Sequence, residues 1–327
     1  MNYIPTILEF ADSVTSSCSF WRARGVLSEL SRLGYINLIE GIYNNIWDTL
    51  RMGDIAFFQR PMSKDCELQI FTAKDLGLKI WIDLDDHNKI SPSHPVYKVW
   101  CEHYDELSFS KIMMLADVVT VSTKHLQDYY LAYNNNVKII PNAINDYWLN
   151  FSKHSNNKTI LIRGGDHHLS DIWEYRKEIT EVMNNHQDWH LNVLGGEIKF
   201  LSDSIANYHY CGDYNIHQYF AFLLRTNPGV IILPLKNNDL NYGKSNIGWL
   251  ESTLCGATAL TPHYWHLNNY SLTYKDGKSF ASNFERLIVE DDLRKELWTK
   301  SVQKVKKYYL LSNVNKKRIE IIKTLMK

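Results

Sequence analysis

Short apolar runs alternate with helical patterns along the whole chain, and this alternation is the feature that most limits the possible folds. The runs VVTV at 118–121 and VIIL at 230–233 are almost continuously apolar. Such runs are typical of strands whose two faces are both covered by helices. Strands that alternate with helices build βαβ units and parallel sheets. The sequence therefore predicts an α/β protein made of doubly wound sheets.

The length of the chain and one polar interruption divide this pattern into two domains. With 327 residues, the chain is long enough for two domains of about 150 residues each. The motif PNAIND at 141–146 is followed by the polar stretch SKHSNNK at 152–158, and the boundary is expected there. We predict two Rossmann-like domains followed by a terminal helix, over residues 1–150, 151–308 and 309–327.

Composition and charge favour a globular protein and indicate no strongly charged partner. Hydrophobic residues make up 45% and charged residues 22% of the chain, and the formal net charge is zero. Five cysteines, none in a CxxC pair, favour a reducing cytoplasm over a disulfide framework or a zinc site. Glu9 and Asp12 stand where a signal peptide would be basic, and no apolar run approaches the ~20 residues of a membrane helix. We therefore expect a cytoplasmic protein with no strong membrane signal.

The segment from Pro234 to Glu251 carries the strongest candidate for an anion site. A strand ends here, a polar loop follows, and a helix is predicted to begin near Lys244. The amides and dipole of a helix start favour an anion, and Lys244 adds a positive charge. Glu251 would lie about two turns further along the same face, where it could accept hydrogen bonds from a ribose. The other predicted donor contacts in this segment are Asn241, Ser245 and Asn246.

The same segment has two other interpretations. Gly243-Lys244-Ser245 superficially matches a Walker loop, but Asn238 stands where that motif requires glycine. The other alternative is a solvated helix start and a surface carboxylate. The flanking strand and the Asn-rich loop favour the ligand-binding interpretation.

A second candidate site follows the first strand of the second half, in the stretch IRGGDHHLSD at 162–171. Gly164 and Gly165 would let the backbone approach a ligand closely. Arg163 can make bidentate contacts with phosphate, and His168 can donate a hydrogen bond or carry a proton. A plain glycine-rich turn with a helix cap is the alternative, and it is preferred for Ser170 and Asp171.

The first half contains a third candidate, DLDDHN at 83–88, at the end of a predicted strand. Neighbouring carboxylates and an imidazole suit a site that handles protons, so Asp86 and His87 are candidate catalytic residues and Asp85 a candidate acceptor contact. A Mg²⁺ site or a solvated turn would explain the same residues. A fourth loop, at 16–24, offers Ser19 and Arg22 as acceptor-side contacts, with a helix cap as the alternative.

At these loops the sequence resembles glycosyltransferase family 4, and most closely a branch common in bacteria and their phages. Six stretches carry the resemblance in the family's order across both halves: FFQRP, KIWIDLDD, ADVVTVST, KIIPNAIND, IRGGDHHLSD and PLKNNDLNYGKSNIGWLE. The family has two glutamates eight positions apart. Glu251 matches the second, and Gly243 stands at the position of the first.

The resemblance implies a GT-B fold, in which two Rossmann-like domains face a central cleft. The N-terminal domain would be on the acceptor side, the C-terminal domain would hold the donor, and the last helix would cross back onto the first domain. It also implies a nucleotide-diphosphate sugar as donor substrate, retention of anomeric configuration, no cofactor and no metal requirement.

The function expected from these features is that of a hexosyltransferase-like enzyme acting on an acceptor hydroxyl. The acceptor is left open among a saccharide, a protein and a modified DNA base. A nucleotide-sugar 2-epimerase is one alternative with the same architecture. A non-catalytic protein that binds a nucleotide sugar or a carbohydrate is the other.

Overall fold

The computed structural model describes residues 3–11, 16–40, 49–92, 94, 97–164 and 168–327. The chain forms two compact units. The first contains Met1–Ala143, Gly243–Ser245 and Leu311–Lys327, and the second contains Ile144–Tyr242 and Asn246–Leu310. Within the described residues, no helix has both the length and the apolarity needed to cross a membrane.

The described part of the first unit contains a parallel sheet in the order β2-β1-β3-β4-β5-β6. Its strands are β1 Thr6–Phe10, β2 Asn37–Glu40, β3 Ile55–Gln59, β4 Lys79–Leu84, β5 Val118–Val121 and β6 Val137–Ile139. The strand order reverses between β1 and β3, which hydrogen-bond to each other. The chain adds β2 on one side of this point and β4, β5 and β6 on the other. The described helices of this unit are Ser17–Arg22, Arg24–Arg32, Lys64–Asp75, Tyr97–His103, Glu106–Leu115, Lys124–Tyr130 and Leu311–Leu325.

The second unit has its own parallel sheet in the order β12-β11-β10-β7-β8-β9. Its strands are β7 Thr159–Gly164, β8 His190–Gly195, β9 Tyr208–Tyr210, β10 Val230–Ile232, β11 Thr258–Pro262 and β12 Leu272–Tyr274. Here the reversal falls between β7 and β10. The described helices are Asp146–Leu149, Leu169–Glu174, Arg176–Asn185, Lys199–Ser202, Ile216–Thr226, Asp239–Gly243, Ile247–Leu254, Gly277–Val289 and Asp291–Tyr308, with a 3-10 turn at His263–Trp265.

Several predicted helices are divided or displaced in the structure. The stretch predicted as one helix from Tyr97 to Leu115 is broken before Glu106, because the Asp105 carboxylate accepts a hydrogen bond from the amide of Ser108 and caps a new helix. Of the helix predicted near 46–52, residues 46–48 lie outside the described residues, and residues 49 and 50 are helical. The short strand β12 was not predicted at all.

A buried ion pair joins four elements of the first unit. The Arg22 guanidinium donates two hydrogen bonds to Asp83 at the end of β4, from Nε at 2.9 Å and from Nη2 at 2.7 Å. The side chains are 0% and 2% exposed. Arg22 Nη1 also donates to the carbonyl oxygen of Ile140 after β6, and Thr120 on β5 donates to Asp83 at 2.6 Å. The ion pair therefore fixes the helix of Arg22 against β4, β5 and the end of β6.

The last helix of the chain, Leu311–Leu325, packs in the first unit. Its residues Leu311, Val314 and Ile322 share an apolar cluster with Trp81 of β4. The same helix buries Arg318 near the Arg22–Asp83 pair. Burial, and then repulsion from Arg22, lower the pKa of Arg318 to about 9, although Asp83 counteracts them.

Replacing Asp83 by Asn should lower the free energy of unfolding by about 3–5 kcal/mol, because the buried guanidinium of Arg22 loses its charged partner. Urea unfolding followed by circular dichroism measures the loss. Glu29→Gln is the matched control, since it breaks a more exposed ion pair with Arg32 and should change stability by less than about 1 kcal/mol. An Asp83→Asn protein as stable as this control would contradict the assignment.

Candidate functional site

The reversal between β7 and β10 marks the candidate ligand site of the second unit. In open parallel sheets, ligands bind beyond the carboxyl ends of the strands at this kind of switch point. The segment after β7 leads to His168, and the segment after β10 contains Lys236. Both segments carry polar and charged side chains where the topology predicts a ligand.

Asp171 links the two segments that follow these strands. Its Oδ1 accepts hydrogen bonds from the backbone amide of Lys236 at 3.2 Å and from Asn241 Nδ2 at 2.9 Å. Its Oδ2 lies 3.1 Å from Nδ1 of His168. Burial would raise the pKa of Asp171, but the hydrogen bonds from His168 and Asn241 outweigh burial and hold the pKa below its ordinary value. Asp171 therefore joins the two segments. The prediction that Ser170 or Asp171 caps the following helix is wrong, because the helix begins at Leu169 and its cap residue is His168.

Gly164 ends β7 in a conformation that only glycine adopts readily. Its φ is +154°, and a Cβ added here would lie 2.9 Å from Cδ2 of His168. Glycine thus allows the His168 ring to lie against the backbone. The neighbouring Gly165, also predicted as a ligand contact, lies outside the described residues.

Arg163 and Glu251 form a second buried pair in this unit. Arg163 Nε lies 2.5 Å from Oε2 of Glu251, and the Tyr219 hydroxyl donates to the same oxygen at 2.8 Å. Burial raises the pKa of Glu251 above its ordinary value, and Arg163 counteracts only part of that rise. Both of these contacts use Oε2, and the Glu251 side chain is only 2% exposed, so Glu251 lies inside the second unit.

The prediction that a helix begins at Lys244 is wrong. One helix ends at Gly243 and the next begins at Ile247, so Lys244 lies in the turn between them. Asn246 is the cap residue of the second helix, but its side chain makes no capping hydrogen bond. An aspartate at 239 starts the preceding helix within the stretch that was predicted to be a loop, which explains the error.

Residues Gly243–Ser245 belong to the first unit. The ammonium of Lys244 lies 3.7 Å from Oδ2 of Asp86, and Ser245 Oγ accepts a hydrogen bond from Asn142 at 2.8 Å. The Thr123 hydroxyl donates to the carbonyl oxygen of Gly243 at 3.2 Å. Lys244 is therefore placed beside the aspartates that follow β4.

The carboxylates after β4 are each matched by a cation. Asp85 Oδ1 lies 2.5 Å from Nε of Arg60, and Asp86 Oδ2 lies 3.6 Å from Nη2 of the same arginine. His87 is buried, with its ring against Tyr129. Within the described residues, no group of three or more His, Cys, Asp or Glu side chains is arranged to hold a metal.

Two predicted acceptor contacts, Ser19 and Arg22, lie inside the first unit rather than at its surface. Both side chains are buried, and Arg22 is bonded to Asp83 as described above. The prediction that they contact an acceptor at the surface is therefore not supported by their burial.

Two residues were missed by the sequence interpretation. Lys236 directly follows the buried run that ends at Leu235, and Arg60 directly follows β3. The signal that could have found both is a cation just after a predicted strand.

No family model matches the sequence, and no curated protein matches it. Solved structures do match its fold. Sucrose-phosphate synthase from Thermosynechococcus elongatus superposes with a TM-score of 0.67 at 11% identity, over 99% of each chain. Anabaena HepE, solved with UDP and glucose, gives 0.65 at 11% identity, over 98% of this chain and 100% of HepE. TarM from S. aureus, solved with UDP, gives 0.64 at 10% identity, over 84% of this chain but only 57% of TarM.

These likenesses, together with the two six-stranded parallel sheets seen among the described residues, assign the chain to the GT-B fold. The prediction of two Rossmann-like domains of this kind is confirmed.

The lowered pKa of Asp171 predicts a specific acid sensitivity. Its contribution to stability is present above the ordinary value of 3.8 and is lost as the pH falls through the lower folded-state pKa. Below about pH 4, Asp171→Asn should therefore lose less further stability than the wild type, although it is less stable at neutral pH. Thermal melting at a series of pH values measures how the stability of each protein changes with pH. Asp203→Asn removes an exposed carboxylate of the same unit and should keep nearly the wild-type dependence of stability on pH. The same dependence for Asp171→Asn would contradict the prediction.

Proposed function

We propose that this protein is a glycosyltransferase that moves a sugar from a nucleotide-diphosphate sugar to an acceptor hydroxyl. The observation that carries the proposal is the switch point between β7 and β10. There Asp171 holds Lys236, whose ammonium makes no hydrogen bond or ion pair within the described residues. A cation that has no partner among the described residues, at the carboxyl edge of a Rossmann-like sheet, suits a diphosphate.

The donor is proposed to bind in the second unit. Lys236 and His168 are suited to the diphosphate, and Gly164 allows the His168 ring to lie against the backbone. Glu251 stays the predicted ribose contact, and Arg163 and Tyr219 hold its Oε2. HepE and TarM were both solved with UDP, which makes a UDP-sugar the first donor to test.

The proposed chemistry is metal-independent transfer with retention of configuration. Positive charge beside the diphosphate would stabilise it as the glycosidic bond breaks, and such electrostatic stabilisation is usually the largest catalytic contribution. Lys236 is proposed to supply this charge in the second unit, and Lys244 is proposed as a catalytic residue of the first unit. The acceptor oxygen would bond to the anomeric carbon as the diphosphate leaves, and the acceptor proton would pass to the leaving phosphate. Asp86 and His87 would orient the reacting sugars. A saccharide, a protein and a modified DNA base remain the proposed acceptors, and the proposed location is the cytoplasm.

A thermal-shift screen with UDP, GDP, ADP and their sugars tests donor binding. A nucleotide at a hundred times its dissociation constant should stabilise the fold by about 2.7 kcal/mol. Lys236→Ala should weaken the binding of the nucleotide found in this screen about tenfold, equivalent to about 1.4 kcal/mol. Lys275→Ala, which removes an exposed lysine from the same unit, should leave it unchanged. Equal affinities for both variants would remove Lys236 from the site.

Turnover tests the proposed role of Lys244. Lys244→Ala should abolish release of UDP from UDP-glucose, with or without candidate acceptors, while its melting temperature stays at the wild-type value. Lys124→Ala, which removes an exposed lysine of the first unit, is the control and should retain full activity. Near-normal turnover by Lys244→Ala would exclude Lys244 from the mechanism.

The same assay separates the alternatives. Conversion of the donor to an epimer without any acceptor would favour a 2-epimerase. Tight binding without turnover would favour a non-catalytic binding protein.

A further inference from the structure

We infer that Arg60 is a positioning residue that holds Asp85 and Asp86 at the end of β4, so that Asp86 can accept a hydrogen bond from a hydroxyl of the sugar substrate. The identity of that substrate rests on the proposed function. The arrangement of the three side chains does not.

The backbone of Arg60 is held in an unusual conformation. Its φ is +49°, in the left-handed region that residues other than glycine and asparagine seldom adopt. Its amide donates to the carbonyl oxygen of Asp83 at 3.0 Å, which ties the end of β3 to the end of β4. Strain of this kind persists only where the surrounding structure enforces it, and it is concentrated at functional sites. Here it turns the guanidinium across the end of β4.

Of the two aspartates, Asp85 is held more tightly than Asp86. The Arg60 Nε donates to its Oδ1 at 2.5 Å. Burial by itself would raise the pKa of Asp85, but Arg60, assisted by Arg22, outweighs burial and keeps the pKa below its ordinary value. Asp85 therefore serves as the anchor that fixes the orientation of the guanidinium.

Asp86 is held much more loosely. Its Oδ2 lies 3.6 Å from Arg60 and 3.7 Å from Lys244, which is too far for a hydrogen bond. Its Oδ1 makes no hydrogen bond within the described residues, although the atom is enclosed. The Tyr130 hydroxyl donates to the backbone oxygen of Asp86 at 2.7 Å, so the residue itself is fixed.

This combination favours recognition of a hydroxyl. An ionised carboxylate can accept about four hydrogen bonds, and a buried acceptor left without a partner is costly. The Asp86 side chain is 29% exposed, and the two cations within 4 Å of it make no hydrogen bond to it, so it keeps unused acceptor capacity. A sugar hydroxyl that approaches the exposed part of this carboxylate can donate to it, and Arg60 determines where that hydroxyl is held.

Arg60→Asn tests this inference, because asparagine tolerates the left-handed backbone but lacks the guanidinium. A crystal structure of the variant should show the Asp85 and Asp86 carboxylates displaced by more than about 1 Å, a shift large enough to impair catalysis. Unchanged carboxylate positions would overturn the inference whether or not the protein is a transferase. Arg32→Asn, which removes an exposed arginine of the first unit, is the matched control for stability.

Kinetics provide the second measurement. Turnover of UDP-glucose by folded Arg60→Asn should show a kcat at least tenfold lower, with a KM for UDP-glucose within threefold of the wild type. Arg60→Lys, which keeps a charge but not the forked geometry, should recover part of the kcat. An unchanged kcat in Arg60→Asn would overturn the inference. If the wild type turns over no nucleotide sugar, the proposed function fails, and the crystal structure alone decides the role of Arg60.

Discussion

The bond between Arg22 and Asp83 is the interaction on which the candidate site of the first unit depends. A fully buried pair is stable only when its geometry is good and its remaining polar atoms are satisfied. Here the guanidinium makes two hydrogen bonds to the carboxylate and a third to the carbonyl oxygen of Ile140. Because Asp85 and Asp86 directly follow Leu84, fixing Asp83 also fixes the point from which they project.

In the second unit, Asp171 fixes the ends of the strands in a similar way. Its carboxylate joins the segment after β7 to the segment after β10, using the Lys236 amide and the Asn241 side chain. In both units a buried carboxylate therefore supports the loops at the carboxyl ends of the strands. The groups proposed to meet a ligand, Lys236 and Asp86, are held by these networks but keep hydrogen-bonding capacity of their own.

Much of the secondary structure was predictable because each strand is a short buried run. The strand β3, predicted at 54–59, runs from Ile55 to Gln59, and all five of its residues are buried. Helix boundaries were less predictable. The split at Asp105 depends on one side chain capping one amide, and the gap at Lys244 depends on how the segment from Gly243 to Ser245 packs in the first unit.

The sequence by itself determined the class of fold and the loops in which to look for a site. Local hydrophobicity and the spacing of strands and helices are sufficient for that, because they indicate parallel sheets. Ligands of such sheets bind at the carboxyl ends of the strands. Only the tertiary structure decided which side chains in those loops are already bonded. Arg22 was a candidate ligand contact and is a buried partner of Asp83, whereas Arg60 was overlooked and lies against two aspartates. The physical reason is that ion pairing and burial join residues far apart in the chain, and local sequence patterns do not contain that information.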